Sequence, residues 1–406
     1  MRQDAPVLKH LLLTTVENAY DTKSWSGIPY ALRVALERRV ERVSVFHPDP
    51  PKRSPIEVVK RLWYGGNPPK YPLWMTRPAL RKTAREVQFQ IDQVRPDAVL
   101  SISSQCIVYL ERQRVPIFLF SDAPWLAWRQ AYQPWESAMP LQGERFSNDE
   151  ARAARRIDGL CFGSEWACGE ALRLYSVTGK EDDGGLTEKL HVTPLGANWT
   201  PKLSREELLR RVQERGNSEV RLLFVGRDWE RKGGPMAVEV ATLLHLEGKK
   251  VWLDIVGCNP ELSPALTGTQ GYIRVHGALD ASDAIQGEKL MDLFLDSHFL
   301  LVPTLAECFG IVFAEAQAFA LPPISRAVHA VPAVVLDGDT GVLMGTDDPA
   351  TMYMSRILEL IQNPVAYLQM ARRARERFET VLQWDHTADA IVEALQSRLD
   401  HNQGFR

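Results

Sequence analysis

The stretch VRLLFVGRDWERKGG, residues 220–234, decides the architecture. It opens on a largely apolar run, passes through a glycine and a cluster of charges, and leads into a segment with helical periodicity. Strand, glycine turn and helix make up the unit from which buried parallel sheets are built. Working outward, the same unit recurs. Downstream, short apolar runs at 251–256, 272–275, 299–302 and 323–325 read as strands separated by helices. Upstream, runs at 11–16, 43–46, 98–102, 116–120, 160–162 and 191–194 read the same way, with charged helical segments at 31–42, 81–94 and 148–156 between them. A polar helix at 204–215 separates the two series, so the α/β pattern starts twice.

The chain has 406 residues, more than the roughly 250–300 that one hydrophobic core serves. Two domains follow, 1–200 and 201–385, with the boundary in the stretch 198–203. The tail from 350 onward is helical, and the segment 386–406 after Trp384 is expected to pack back on the first domain. Hydrophobic residues make up 45% and charged residues 24%, the balance of an ordinary folded protein. A net charge of -3 gives no global attraction to nucleic acid or anionic lipid. Cys106, Cys161, Cys168, Cys258 and Cys308 are scattered and form no CxxC pair, which suits a reducing compartment. The first apolar run is short and reads as a strand rather than a leader, and no run of about 18 apolar residues predicts a membrane span. A P-loop NTPase is excluded by the absence of GxxxxGK[ST], and a dinucleotide dehydrogenase by the absence of GxGxxG after the first strand.

Two segments carry chemistry. In the opening stretch, Arg227 offers a planar fork and Lys232 a point charge at a strand's C-terminal end, where ligands of open α/β sheets bind. The second segment, PTLAECFGIVFAE at 303–315, also follows a strand. Its two carboxylates are best placed with Glu307 in the loop and Glu315 inside a helix beginning near Phe309. The backbone N–H groups of Phe309, Gly310 and Ile311 then sit at a helix N-terminus, which favours anions. Taken singly, the first segment also fits a solvated charged loop, and the second a helix-terminal charge with a surface glutamate.

Together, VGRDWERKGG and ECFGIVFAE resemble the two donor-site signatures of the retaining glycosyltransferase family 4. Further pieces agree along most of the chain: SWSGIPY at 24–30, SEWA at 164–167, TPLGAN at 193–198 and IVG at 255–257. The resemblance implies the GT-B fold, two Rossmann-like domains facing each other across a cleft, with the donor held by the second. It implies that Arg227 and Lys232 bind the donor diphosphate and Glu315 the ribose. Glu307 meets the hydroxyls of the transferred sugar and counts as catalytic. The backbone from Cys308 and Phe309 through Gly310, Ile311 and Val312 holds phosphate and sugar, Ala278 and Leu279 meet the base, and Gly27 lets the first domain approach the phosphate. The implied reaction is transfer of a hexose-type sugar from a UDP- or GDP-sugar to a hydroxyl, with retention and without metal or other cofactor.

One departure concerns the acceptor side. Many relatives carry a histidine after the third strand, where this chain has Ser101, Ser103, Ser104 and Gln105. Asp122 is a substitute catalytic candidate and equally a turn cap. His47 reads as a turn residue, and His329, in the loop after the strand at 323–325, is either a loop residue or one that faces the sugar. The acceptor class stays open among glycan, lipid-linked and small-molecule hydroxyls. Between 52 and 85, nine cations face one acid, Glu57, with Trp63, Tyr64, Tyr71 and Trp74 interleaved. That segment reads as a solvated face, as a surface for an anionic glycan, or as a peripheral contact with the inner membrane face of a cytoplasmic protein. Trp125, Trp128, Tyr132 and Trp135 are either sugar-stacking or core aromatics. No nucleic-acid motif is present. Competing functions are a nucleotide-sugar epimerase or hydrolase on the same fold, and a silent sugar-nucleotide-binding scaffold.

Overall fold

The computed structural model describes residues 8–50, 73–111, 113–132, 142–176, 185–215, 218–258 and 271–403. The chain divides into two compact units, Met1–Leu195 with Trp384–Arg406, and Gly196–Gln383. Each unit is built on one six-stranded parallel sheet.

In the first unit the strands are β1 (His10–Thr14), β2 (Arg42–Phe46), β3 (Ala98–Ser101), β4 (Ile117–Ser121), β5 (Gly159–Phe162) and β6 (Leu190–Val192), in spatial order β2-β1-β3-β4-β5-β6. The central strands are apolar on both faces because helices cover both: β3 and β5 are buried at every position. Local chemistry sets the helix starts. Gly27 in the left-handed conformation precedes the helix Ile28–Glu37, Thr76 caps Arg77–Val94, and Ser164 Oγ accepts from Ala167 N at 3.1 Å to cap Glu165–Tyr175.

The segment 31–42, expected to be helical throughout, stops being helix at Glu37, and Arg42 already belongs to β2. The helix closes locally, with Arg39 N and Val40 N both donating to Leu36 O at 2.9 and 3.0 Å. Arg38 and Arg39 turn toward the last helix, Trp384–Gln403, where they pair with Asp385 and Asp389. That helix starts at Trp384, whose ring is buried against Phe120, and its Gln396 accepts from Leu8 N at 2.9 Å.

In the second unit the strands are β7 (Val220–Val225), β8 (Val251–Val256), β9 (Ile273–Gly277), β10 (Phe299–Leu301), β11 (Pro323–Arg326) and β12 (Val342–Met344), in spatial order β12-β11-β10-β7-β8-β9. The sequence pattern gave five of these and missed β12, a three-residue strand that pairs with β11 at the sheet edge. The helix Arg205–Glu214 opens this unit with a capping box between Ser204 and Glu207. Trp199 packs edge-on against Phe294 and Phe319, with ring centroids 5.2 and 5.0 Å away.

Candidate active site

The order of the second sheet reverses at β7. Its successors β8 and β9 lie on one side, whereas β10, β11 and β12 lie on the other. Loops leaving the C-terminal ends of two strands at such a reversal diverge and open a crevice. β7 and β10 are direct neighbours, in register at Phe299↔Leu222 and Leu300↔Leu223. The charged turn after β7 and the glutamate turn after β10 therefore stand side by side.

Backbone packing locks the two turns together. Gly233 has φ 76°, and a Cβ there would lie 2.1 Å from Pro303 O, so only glycine fits both the conformation and the approach. Leu305 N donates to Arg231 O at 2.8 Å, and Thr304 Oγ1 donates to the same oxygen at 3.2 Å. Arg231 donates through Nη1 to Ala306 O at 2.9 Å and through Nε to Asp228 Oδ2 at 3.1 Å. Inside this frame the Lys232 ammonium pairs with the Glu307 carboxylate. Both side chains are largely shielded, at 12% and 10% exposure, and Arg231 stands 3.8 Å from the same carboxylate oxygen. Arg227 is exposed at the turn's tip, and no side-chain hydrogen bond or ion pair joins it to any described residue. The two cations that the sequence treats alike thus occupy different environments.

Gly310, at φ 87°, turns the chain into the helix Ile311–Ala318. This start falls two residues later than expected. Cys308 and Phe309 are 1% and 2% exposed and serve the core, while Ile311 and Val312 present the first amides of the helix, partly exposed. Glu315, partly buried in that helix, receives hydrogen bonds from the Trp199 side chain and the Asn198 backbone. Desolvation outweighs them and the charge of Lys232, and pushes the carboxyl up to about 7.

The loop after β9 is fixed by a bulge. Ile255 pairs with Val275 but Val256 with Gly277, leaving His276 as the extra residue. His276 Nε2 lies 2.6 Å from Asp254 Oδ1, and Arg274 Nη2 lies 2.5 Å from Asp254 Oδ2. Gly226 N donates to Val256 O at 3.0 Å and Gly257 N to Gly277 O at 2.8 Å, which laces the ends of β7, β8 and β9. Beyond Gly277, Ala278 is exposed and Leu279 partly so. A further loop follows β11: Arg326 Nη1 donates to Pro303 O at 3.2 Å, and Ala330 N donates to Glu307 O at 3.4 Å. Sequence reasoning missed Arg231, Trp199, Asn198, Asp254 and His276 as parts of this site. Arg231 had a local signal, its place in the same charged turn, and Asn198 ends the TPLGAN piece; Asp254 and His276 are brought together by the pairing of β8 with β9 and have none.

Gly27 and Asp122 belong to the first unit. Gly27, at φ 80°, ends a turn in which Trp25 and Ser26 are also left-handed. The order of this sheet reverses between β1 and β3, where Ser103 Oγ accepts from Val16 N at 3.2 Å and lies 3.4 Å from Thr15 Oγ1. Asp122 Oδ1 accepts from Ala123 N at 2.9 Å and from Ser121 Oγ at 3.4 Å. His47 Nδ1 lies 3.1 Å from Thr15 O. Trp125 packs on Phe146 in a core cluster, and Trp128 stacks on Tyr132. Trp135 and residues 52–72 of the basic segment lie outside the described residues, and no described helix is long and apolar enough to cross a membrane.

The sequence of the second unit matches the family model of Glycosyl transferases group 1 over residues 219–363, a span that contains every turn described around Lys232 and Glu307. Residues 219–363 are thus similar to a glycosyl transferases group 1 domain. Curated relatives include D-inositol 3-phosphate glycosyltransferases from Rhodococcus jostii (strain RHA1), 25% identical over 62% of this chain and 57% of the relative, and from Mycolicibacterium paratuberculosis (strain ATCC BAA-968 / K-10), 33% identical over 42% and 38%. The alignments thus span little more than half of one relative's length and well under half of the other's. Among solved structures, sucrose-phosphate synthase from Thermosynechococcus elongatus superposes with a TM-score of 0.66 at 17% identity, covering 95% of this chain and 98% of that one. Anabaena Alr3699/HepE in complex with UDP and glucose gives 0.61 at 14% identity, covering 96% and 100%. The likeness covers both units and establishes the expected two-domain α/β fold, GT-B.

Proposed function

We propose that the protein is a retaining glycosyltransferase that moves a hexose-type sugar from a nucleoside-diphosphate sugar to an acceptor hydroxyl without a metal. The observation that carries this reading is the shielded Lys232–Glu307 pair at the β7/β10 reversal, beside the N-terminus of Ile311–Ala318. A phosphate needs cations and amide donors, and a sugar needs carboxylate acceptors; this turn holds both within one hydrogen-bond length. A shielded ion pair contributes little net stability because desolvation offsets its attraction, so exchange of partners on donor binding gives the pair a use. Lys232 then turns to the diphosphate, joined by the exposed Arg227, and Glu307 accepts from sugar hydroxyls. Glu315 accepts from the ribose, and the backbone at Ala278 and Leu279 meets the base.

In the reaction the bond from the sugar's anomeric carbon to the phosphate oxygen breaks, its electrons staying on the phosphate. The acceptor oxygen bonds to the same face of that carbon, and the departing phosphate takes the acceptor's proton. Negative charge grows on the leaving group, where Lys232, Arg227 and the amides of Ile311 and Val312 stabilise it. Asp122 is given no proton to carry, because the departing phosphate takes it. The curated relatives named for D-inositol 3-phosphate favour a small-molecule acceptor, and five buried free thiols suit a cytoplasmic setting.

The test is the melting temperature of the protein with UDP-, GDP- and ADP-sugars, beside a Lys232→Ala, Glu307→Ala double variant. Only a ligand that prefers the folded state shifts it. A rise of several degrees with one donor, absent in the variant, is expected, and the anomeric configuration of the product then reads retention. A folded protein that responds to no donor overturns the proposal.

A further inference from the structure

Five non-glycine residues hold a positive φ among the described residues: Trp25, Ser26, Arg95, Ala320 and His329. Such a conformation costs a residue with a Cβ some strain relative to glycine, least for Asn, Asp and His. Two of the five have an ordinary structural reason. Arg95 is the C-cap of Arg77–Val94, and Ala320 follows the end of Ile311–Ala318 by two residues, positions where helices commonly close with a left-handed residue. Trp25 and Ser26 form the turn into Gly27.

His329, at φ 47°, closes no helix. It stands between β11 and the short helix Val331–Val334, and it is partly buried. Glycine would adopt this conformation without cost, so an imidazole is carried here against the backbone's preference. Its neighbour Ala330 donates to Glu307 O at 3.4 Å, which ties this loop to the Glu307 turn.

The sheet order gives the strained residue a place along the site. Reading across the C-terminal edge, β9 carries the Ala278–Leu279 backbone, β7 carries Lys232, β10 carries Glu307, and β11 leads to His329. Neighbouring strands lie about 4.8 Å apart, so β11 is offset from β7 by roughly 10 Å, on the side away from β9. A base at β9 and a diphosphate at β7 leave the sugar on the β10 and β11 side.

We propose that His329 is a specificity-determining residue that hydrogen-bonds a hydroxyl of the donor's sugar, and that its strained backbone is kept for this contact. The inference rests on the donor reading above and adds which side chain selects the sugar. It makes two demands that separate it from a structural role. Replacement by glycine relieves the backbone, so His329→Gly melts above His329→Ala and no lower than the unaltered protein. Both variants bind the nucleotide sugar about tenfold more weakly, the equivalent of one hydrogen bond lost with its partner left unpaired, while their affinity for the nucleoside diphosphate alone stays unchanged.

The experiment is calorimetric titration of the unaltered protein, His329→Gly and His329→Ala with UDP-glucose, GDP-mannose and ADP-glucose, each beside its free diphosphate. A selective loss of sugar-nucleotide affinity in both variants supports the assignment. Variants that bind both ligands as the unaltered protein does, or that lose both equally, overturn it while leaving the donor reading intact. An unaltered protein that binds neither class overturns both.

Discussion

The loops at the reversal of the second sheet are held by charge, and those at the reversal of the first are held by hydroxyls and backbone. After β7 and β10, Arg231 bridges two turns, Lys232 pairs with Glu307, and Gly233 is pressed against Pro303. After β1 and β3, Ser103 serves Val16 N and Thr15, Ser101 Oγ donates to Ser103 O at 2.7 Å, and Trp25 through Gly27 turn through left-handed conformations. The first arrangement positions ionised groups for a charged ligand. The second shapes a backbone, with Glu17 Oε2 accepting from Ser24 Oγ at 2.8 Å in the loop after β1.

The comparison is broken most forcefully at Gly233. A Cβ there meets Pro303 O at 2.1 Å in a left-handed backbone, so Gly233→Ala is expected to cost at least about 3 kcal/mol in urea unfolding of the second unit. Donor-induced stabilisation should vanish with it.

A second test treats both units alike. Glu315 in the second and Glu150 in the first each have a carboxyl pushed up to about 7, in both cases chiefly by burial. Glu150 accepts from Trp125 N at 3.1 Å, a bond that offsets only part of the effect of burial. Because the folded state favours the protonated form, the stability each group contributes is complete below the ordinary value of 4.5 and is lost as pH rises through about 7. Glu150→Gln, whose site is only 3% exposed, should remove a decline on the order of 2 kcal/mol between about pH 5 and pH 8. Glu315→Gln should flatten the same range. Melting curves across pH check both, and an unaltered slope in the variants counts against them.

The smallest effect is expected at Ser103. Ser103→Ala removes the acceptor of Val16 N and should cost about 1 kcal/mol, with nucleotide binding unchanged. A loss of nucleotide binding from this substitution would erase the distinction between the two reversals.

What was legible in the sequence follows the same division. Both sheets could be read because their central strands are apolar on both faces and leave clear runs, whereas β12, three residues long, leaves almost none. The 31–42 segment ends its helix at Glu37, where the Arg39 and Val40 amides both close onto Leu36 O, an event its charged periodicity does not mark. The charged turns announced themselves through Arg227, Lys232, Glu307 and Glu315. Their inequality did not: only the fold shows that Lys232 is paired and shielded while Arg227 is exposed. Asp254 and His276 come together because a bulge in β9 re-aims a side chain, an event with no local signature. The hydroxyl network around Ser103 was invisible for a similar reason, since serines in a loop carry no pattern that distinguishes a scaffold from a solvated surface.

The claim at the centre is that Lys232 and Glu307 divide a nucleotide sugar between them, phosphate to one and sugar to the other. It is tested most directly by calorimetric titration of the nucleoside diphosphate, and of its sugar, into the unaltered protein, Lys232→Ala and Glu307→Gln. The account predicts that Lys232→Ala weakens both ligands by at least about tenfold. Glu307→Gln should bind the free diphosphate as tightly or more tightly, because Lys232 is released from its carboxylate, and should weaken only the nucleotide sugar. Diphosphate binding that survives Lys232→Ala, or that falls in Glu307→Gln together with the nucleotide sugar, would contradict it.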